Sequence, residues 1–199
     1  MASSEQKEFQ IILASQSPRR KELLSYMGFP FDIIPSSIEE KSEEEKIEDW
    51  VVDIAEQKAI SVFNKIQSTY KNPLIIGSDT IVYLEGRTLG KPKNREDAKT
   101  MLQSMMGKKH RVYTGVSCIS REFKDCFYEM SEVTFSNIED SFLELYLDSN
   151  EYRDKAGSYG IQGAALPFVK RIEGCYSNIV GFPLPKFRQW YQQLYPLQD

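Results

Sequence analysis

The chain has 199 residues and a formal net charge of −4, with 41% hydrophobic and 27% charged residues. This composition is typical of a globular domain, and the acidic balance excludes a protein that binds nucleic-acid polymers through a broad basic face. No apolar run reaches membrane-spanning length, and the three cysteines lack the spacing of a zinc site. The N-terminal residues contain no apolar signal region. We therefore predict a cytoplasmic protein with reduced cysteines, in which residues 1–9 form a disordered tail.

The stretch Ile11–Leu24 predicts a strand, a tight polar turn and a helix. Ile11–Leu13 is a short apolar run suited to a buried strand. Ser17 is typical of a helix N-cap, and Pro18 of the first helical residue, where its missing N–H costs nothing. Gly28 stands where a C-terminal cap is expected. The first helix is thus predicted to begin at Pro18.

Arg19 and Arg20 fall in the first turn of this helix, where the helix dipole opposes positive charge. Together with the turn N–H groups and the hydroxyls of Ser15 and Ser17, they would bind an anion. Alternatively, both arginines extend into solvent from an ordinary amphipathic helix. The stretch alone leaves both interpretations open.

Phe29–Ile34 predicts a second strand, which leads into an acidic segment. Glu39 and Glu40 follow this strand closely enough for a carboxylate to turn into a cleft. From Glu44 to about Ile66 the apolar residues recur at the spacing of a long amphipathic helix. Lys58 lies within the apolar arc of that helix. It either snorkels to the edge of the arc, the commoner outcome, or points at a buried anion.

The apolar stretch Pro73–Leu84 has Gly77, Ser78 and Asp79 in its middle. One interpretation is a turn that divides two strands. The other is a single buried strand that carries a carboxylate, which is costly unless the carboxylate meets a cation, a metal or backbone donors. The apolar flanks on both sides favour the inserted carboxylate.

The next segment predicts a turn, a rigid loop and a helix. Gly90 and the proline two residues later would present Lys91 from a stiff loop. Asn94 is expected to cap a helix that ends at Gly107. His110 is the only histidine in the sequence, so no His-based metal triad is available, and we interpret it as structural.

The second half of the chain predicts more strands. Val112–Ser120 and Cys126–Ser136 are interpreted as an antiparallel pair, followed by a short helix over Phe142–Leu147. A strand over Leu166–Ile172 and a final helix over Pro185–Leu194 follow. Strands that alternate with helices, interrupted by a hairpin, favour an α/β fold: a mixed twisted sheet flanked by helices, with two lobes around a central cleft.

Between these elements, Asp154–Gly163 contains three glycines and reads DKAGSYGIQG. It resembles a tight loop that packs against a ligand, in which the amide of Gln162 can both donate to and accept from a nucleobase edge. A flexible surface loop is the alternative. Cations beside carboxylates elsewhere in the chain indicate that the ligand is a metal-bridged polyphosphate. The sequence lacks the P-loop motif, so we do not expect a P-loop enzyme.

Eight segments in order resemble one family, the Maf (septum-formation-protein-like) nucleoside triphosphate pyrophosphatases. The resemblance extends from about Ile11 to Leu184 and implies a single Maf-like domain over residues 1–199 with a Maf/ITPase-like fold. Each segment alone is weak evidence for the family, but the order and spacing of all eight together are specific to it. The segments are LASQSPRRKELL, IEEK, AEQKA, GSDTIV, LGKP, VYTGV, DKAGSYGIQG and YSNIVGFPL.

The resemblance implies cleavage of the α–β bond of nucleoside triphosphates with a divalent metal, Mg²⁺ or Mn²⁺, and a homodimer. Asp79 matches the family's proton acceptor, and Asp79 and Glu40 would hold the metal. One departure is IEEK, where the family usually has an Asp-Glu pair, so the metal-facing acid is Glu39 or Glu40. The positions matching phosphate-binding residues are Ser15, Arg20, Lys58 and Lys91.

Arg19, Thr80 and Gln162 match the specificity positions of the dTTP/UTP branch of this family. The branch that acts on 7-methyl-GTP has tryptophan and an acid in place of the arginine and the glutamine. The resemblance therefore implies a house-cleaning enzyme for dTTP, UTP or modified pyrimidine triphosphates. The alternatives are a pyrophosphatase for 7-methyl-GTP or other modified purine triphosphates, and a nucleotide-binding regulator of cell division that does not hydrolyse its ligand.

Overall fold

The computed structural model describes residues 9–194, so that all of the predicted disordered tail except Phe9 lies outside the described residues. Strands and helices alternate in the first half, as predicted. The strands are β1 (Gln10–Leu13), β2 (Phe31–Ile33), β3 (Pro73–Leu84), β4 (Arg87–Leu89), β5 (Lys109–Ile119), β6 (Lys124–Phe135) and β7 (Val169–Glu173). The helices are α1 (Pro18–Ser25), α2 (Ile47–Ile66), α3 (Arg95–Met105), α4 (Asp140–Asp148), α5 (Tyr176–Val180) and α6 (Leu184–Leu194), with 3₁₀ turns at Ala156–Ser158 and Leu166–Phe168.

Within residues 9–194 the strands form one seven-stranded sheet. Its order is β2-β1-β3-β5-β6-β7, and β4 pairs with β3. Strand β1 is parallel to both β2 and β3, whereas the pairs β3–β4 and β6–β7 are antiparallel. The mixed sheet with flanking helices confirms the predicted α/β class.

The chain divides into two compact units. Unit 1 contains the described residues up to Asp79 together with Gly115–Tyr128. Unit 2 contains Thr80–Thr114 and the described residues from Glu129 onward. Each boundary between the units falls inside a strand, since β3, β5 and β6 each contribute residues to both.

The core of unit 1 forms where helix α2 packs on the sheet. Ile12 and Ile75 are fully buried there against Ala59. Two glycines bring the helix backbone close: a Cβ atom on Gly77 would lie 2.1 Å from the Ala55 carbonyl oxygen, and one on Gly115 would lie 2.3 Å from that of Val51. The glycine in the GSDT segment is therefore explained by close packing rather than by a turn.

The core of unit 2 is aromatic. The His110 ring lies 4.8 Å from the Phe135 ring and 5.4 Å from the Tyr159 ring, both edge to face. Phe135 in turn packs at 6.0 Å from Phe168, and both phenylalanines are almost fully buried. His110 is therefore part of the core, in agreement with its structural interpretation.

One local prediction is wrong, and one short helix was not predicted. Leu166–Phe168, the first part of a predicted strand, forms a 3₁₀ turn, and the strand begins at Val169. The segment that follows strand β7 contains the short helix α5, which was not predicted. Among the described residues, no helix combines the length and the apolar character needed to cross a bilayer.

Candidate active site

Lys58 and two carboxylates form the central cluster of unit 1. Lys58 projects from the buried face of α2, and its Nζ atom lies 2.6 Å from Oδ1 of Asp79 and 2.7 Å from Oε1 of Glu40. Only 8% of Lys58 and 6% of Asp79 are exposed. The snorkelling alternative for Lys58 is therefore wrong, since its ammonium group pairs with a buried acid.

Asp79 lies within an uninterrupted strand. Strand β3 runs from Pro73 to Leu84, and Ser78 beside the acid is fully buried. The turn interpretation of this segment is therefore wrong, and the inserted carboxylate is confirmed. A buried carboxylate of this kind is tolerated because a cation contacts it directly.

Glu39 and Glu40 have different surroundings. The Glu39 side chain is 76% exposed and pairs with the equally exposed Lys41. Glu40 is 40% exposed, and its carboxylate meets the buried ammonium group of Lys58. Of the two acids, Glu40 is thus the one that joins the cluster.

The turn before α1 organises polar groups around the Ser15 hydroxyl. Ser15 Oγ accepts hydrogen bonds from the Ser17 N–H at 3.2 Å and from Nη1 of Arg20 at 3.3 Å. Ser17 Oγ accepts from the Arg20 N–H at 3.4 Å, which confirms the predicted N-cap. The Arg20 guanidinium group is thereby turned back over the turn.

The negative charges of Asp79 and Glu40 attract Arg20, which belongs to the same unit. Burial lowers the pKa of Arg20, and the neighbouring charge of Arg19 lowers it further, while attraction to Asp79 and Glu40 opposes both effects. Because an arginine side chain keeps its charge at neutral pH, the guanidinium group is a permanent cation beside the acids. The anion-binding interpretation of the first turn is consistent with this environment.

The donor chemistry of unit 1 fits a hard divalent cation. Magnesium takes one or two carboxylates together with phosphate oxygens and water. Glu40 and Asp79 supply two carboxylates that meet at a single ammonium group. Residues 9–194 contain no cluster of three or more His, Cys, Asp or Glu side chains that could hold a metal by themselves.

Three predicted site residues, Thr80, Lys91 and Gln162, belong to unit 2. Lys91 and Gln162 are exposed. The loops that carry them are joined, because the Gly157 N–H donates to the Gly90 carbonyl oxygen at 3.0 Å. Within unit 2, the predicted lysine and glutamine thus lie on two connected loops.

The glycine-rich loop is anchored in the core of unit 2. The Tyr159 hydroxyl lies 2.8 Å from Nε2 of His110, and the Tyr146 hydroxyl donates to the Ser158 carbonyl oxygen at 2.9 Å. Burial lowers the pKa of His110 to about 4, and its Nδ1 atom has no hydrogen-bond partner among the described residues. Ser158 and Tyr159 in the middle of the loop are therefore held in the core rather than lying on the surface.

Thr80 is part of a hydrogen-bonded relay that sequence reasoning missed. Its Oγ1 atom lies 3.0 Å from Oγ1 of Thr114, which donates to the Asn178 carbonyl oxygen at 2.9 Å. Thr114 stands in the VYTGV segment, but a threonine in an apolar strand gives no signal of its partners. The contact joins positions 34 residues apart.

Comparison with known proteins matches residues 10–194 to the family described as "Maf-like protein". A dTTP/UTP pyrophosphatase of Bacillus pumilus is 46% identical over 182 residues, which cover 89% of this chain and 92% of the relative. That of Caldicellulosiruptor bescii is 44% identical over 187 residues, 92% and 94% of the two chains. A solved nucleoside-triphosphatase / dITP/XTP pyrophosphatase from Mycobacterium abscessus is 12% identical over 95% of this chain and 100% of its own, with a TM-score of 0.41, too distant to inform the site.

Proposed function

Because the chain belongs to the Maf-like protein family, we propose that it is a nucleoside triphosphate pyrophosphatase that hydrolyses dTTP and UTP. The products are the nucleoside monophosphate and pyrophosphate. Relatives named dTTP/UTP pyrophosphatase at 46% and 44% identity, over about nine tenths of both chains, support this substrate class. The observation that carries the chemistry is the buried Asp79 carboxylate held by the ammonium group of Lys58.

In this reaction Asp79 accepts a proton from the water that attacks the α-phosphorus. The new bond forms between the water oxygen and this phosphorus, the α–β phosphoanhydride bond breaks, and pyrophosphate leaves with the electron pair. Lys58 holds the Asp79 carboxylate in place through their 2.6 Å contact. A positioned general base of this kind contributes about 100- to 10,000-fold to a rate.

The phosphates are bound by the cations of the site. Arg20 and Ser15 bind phosphate oxygens in the turn before α1, and Lys58 and Lys91 add positive charge. Glu40 and Asp79 would hold Mg²⁺ or Mn²⁺, which supplies further neutralisation of the phosphate charge when bound. The contact between Arg20 and Ser15 supports the phosphate assignment, because it leaves a hydroxyl and a guanidinium group together at a helix N-terminus.

The base is selected by Arg19, Thr80 and Gln162. A glutamine amide offers one acceptor and two donors, which suits the mixed edge of a pyrimidine, whereas an acid would suit the donor-rich edge of a guanine. This argument favours dTTP, UTP and modified pyrimidine triphosphates over 7-methyl-GTP and other modified purine triphosphates. A house-cleaning role, the removal of such nucleotides from the precursor pool, follows from this selection.

A panel of purified triphosphates tests the proposal. With Mg²⁺ or Mn²⁺ present, dTTP and UTP should be hydrolysed fastest, and pyrophosphate rather than orthophosphate should be released. Predominant orthophosphate would contradict cleavage at the α–β bond, and a strong preference for 7-methyl-GTP would contradict the role of Gln162. Binding without any hydrolysis would favour the alternative, a nucleotide-binding regulator.

We also propose that the protein acts in the cytoplasm as a homodimer. Its three cysteines, Cys118, Cys126 and Cys175, are free thiols, which supports a reducing compartment. Light scattering coupled to size-exclusion chromatography measures the assembly directly. A mass of 23.0 kDa across a concentration series would contradict the dimer.

A further inference from the structure

Gln162 is presented by a tight turn at the end of the glycine-rich loop. The turn spans residues 160–163 and is closed by the Gly163 N–H, which donates to the Gly160 carbonyl oxygen at 3.1 Å. Gln162 is the third residue of this turn and is exposed, so its amide can reach a ligand. The direction of the amide therefore depends on how the two ends of the turn are held.

The Glu151 side chain holds the end of the turn. Its Oε2 atom accepts a hydrogen bond from the Ala164 N–H at 2.9 Å, although the two residues are 13 positions apart in the chain. A hydrogen bond from a backbone N–H to a carboxylate is assisted by charge and is stronger than one between neutral groups. The carboxylate thus fixes the backbone two residues after Gln162.

This contact requires glycine at position 163. A Cβ atom there would lie 2.0 Å from Oε2 of Glu151 and 3.1 Å from its Cδ atom. Gly163 does not have a positive φ angle, so glycine is needed for space and not for an unusual backbone conformation. Any larger residue would displace the carboxylate from its place beside the Ala164 N–H.

Glu151 also supports the start of the turn, through Lys155. The Lys155 ammonium group donates to the Glu151 carbonyl oxygen. The stem of the lysine packs against the first residue of the turn, since a Cβ atom on Gly160 would lie 2.8 Å from Lys155 Cε. Glu151 thus acts on both ends of the turn, with its carboxylate at one end and with its carbonyl group at the other.

We infer that the Glu151 carboxylate, by holding the Ala164 N–H, positions Gln162 for the nucleobase. The inference rests on the proposed function for the presence of a nucleobase at Gln162. An amide that is already held in one direction loses less conformational freedom when a ligand binds, so the affinity rises without a new contact. Glu151 is thus a positioning residue that acts through Gln162 and not through a contact of its own with the substrate.

A double-mutant cycle tests this inference. Glu151→Ala should raise KM for UTP about five- to tenfold, the worth of one hydrogen bond, and should leave kcat within about twofold. Glu151→Gln retains an oxygen that accepts from the Ala164 N–H and should restore most of the affinity. In a Gln162→Ala background, Glu151→Ala should have no further effect on KM. Effects of the two substitutions that multiply would overturn the inference.

The cycle separates positioning from stability. A partly unfolded preparation lowers the apparent kcat and leaves KM unchanged, so a merely structural role of Glu151 gives the opposite pattern and would contradict the inference. Glu139→Ala removes an exposed glutamate of the same unit, whose side chain does not cap helix α4, and is the matched control. It should leave KM and kcat unchanged.

Gly163→Ala gives a second cycle in which the carboxylate stays in the chain. The new methyl group takes the place of the Glu151 carboxylate, so KM should rise about as much as in Glu151→Ala. The two substitutions combined should be no worse than either alone, because the methyl group then has no carboxylate to displace. An unchanged KM in Gly163→Ala, or a loss that adds to that of Glu151→Ala, would refute the role of Glu151.

The outcomes distinguish this inference from the proposed function. If Glu151→Ala does not fold, the cycle with Gln162→Ala is run with Gly163→Ala instead. If Gln162→Ala leaves KM unchanged while Glu151→Ala raises it, the inference is wrong although UTP hydrolysis still supports the proposed function. If the protein binds UTP without hydrolysing it, the proposed function fails, and the same cycles measured as dissociation constants by calorimetry decide the role of Glu151.

Discussion

Unit 1 and unit 2 bury polar groups in different ways. Unit 1 places ionised side chains in direct contact, with Lys58 held between Glu40 and Asp79 and with Arg20 under the influence of both acids. Unit 2 buries neutral groups instead. The Thr114 hydroxyl meets the Asn178 carbonyl, and the Tyr159 hydroxyl meets the His110 imidazole, whose pKa is lowered by burial. Charged side chains suit the binding of a polyanion, whereas the buried neutral groups of unit 2 anchor the loop that leads to Gln162.

The two arrangements should respond differently to substitution. A buried ion pair contributes little net stability, but removal of one partner leaves an uncompensated charge, which costs about 3–5 kcal/mol. A neutral hydrogen bond contributes about 1 kcal/mol. Substitutions in the charged cluster of unit 1 should therefore lower the free energy of unfolding more than substitutions in the relay of unit 2.

The largest expected effect is on turnover. Asp79→Asn removes the proposed proton acceptor but keeps the size of the side chain, so kcat for UTP should fall about 100- to 10,000-fold while nucleotide binding persists. Pyrophosphate release and calorimetric binding measure the two quantities separately. Asp49→Asn, at an exposed acid in the first turn of α2, is the control and should retain activity. Unchanged turnover in Asp79→Asn would refute the assignment of the base.

Lys58→Met should lower the free energy of unfolding by about 3 kcal/mol, because Asp79 would stay buried without its cation. Urea denaturation at neutral pH measures this loss. Lys65→Met removes an exposed lysine from the last turn of the same helix and should cost less than about 1 kcal/mol. Equal effects of the two substitutions would show that the contact of Lys58 with the acids adds nothing.

The imidazole of unit 2 should make stability depend on pH. In the unfolded chain His110 titrates near 6.5, whereas burial lowers its pKa in the folded protein to about 4. Between these values the unfolded chain binds a proton that the folded protein does not, so stability falls as pH decreases from 6.5 towards 4. The loss from this group amounts to about 3 kcal/mol.

Since the sequence contains a single histidine, one imidazole NMR resonance reports this titration in the untagged protein. Its midpoint should lie near 4 while the protein remains folded. A His110→Gln variant should show a correspondingly weaker dependence of urea stability on pH. A midpoint close to 6.5 would mean that water reaches the ring.

The smallest effect in this series concerns a glycine. Gly77→Ala would place a methyl group 2.1 Å from the Ala55 carbonyl oxygen, so α2 must move away, at a cost of about 2 kcal/mol in the free energy of unfolding. Gly90→Ala meets no atom within 4 Å and should stay within about 0.5 kcal/mol of the original protein. Thermal melting of the two variants compares them directly, and similar melting temperatures would contradict close packing at Gly77.

Elements with local chemical signals were predictable from the sequence. Ser17 and Asn94 each cap a helix through their own side chains, so the starts of α1 and α3 could be located without knowledge of the fold. The apolar flanks of Asp79 identified a strand because they continue on both sides of the polar residues. In each case the evidence lies within a few residues of the feature.

Features that depend on distant contacts were not predictable. Helix α5 has five residues, and Asn178 within it donates to Ser131 Oγ and to the Val112 carbonyl, both from other strands. The orientation of Lys58 likewise depends on an acid 21 residues away. Helical periodicity places a lysine on an apolar face but does not identify what it meets there.

The ammonium group shared by Glu40 and Asp79 has a consequence for charge balance. Together with Arg20 it supplies two positive charges beside two negative ones, so this part of the protein contains its own counterions. The charges of both acids are therefore compensated by side chains of the same unit.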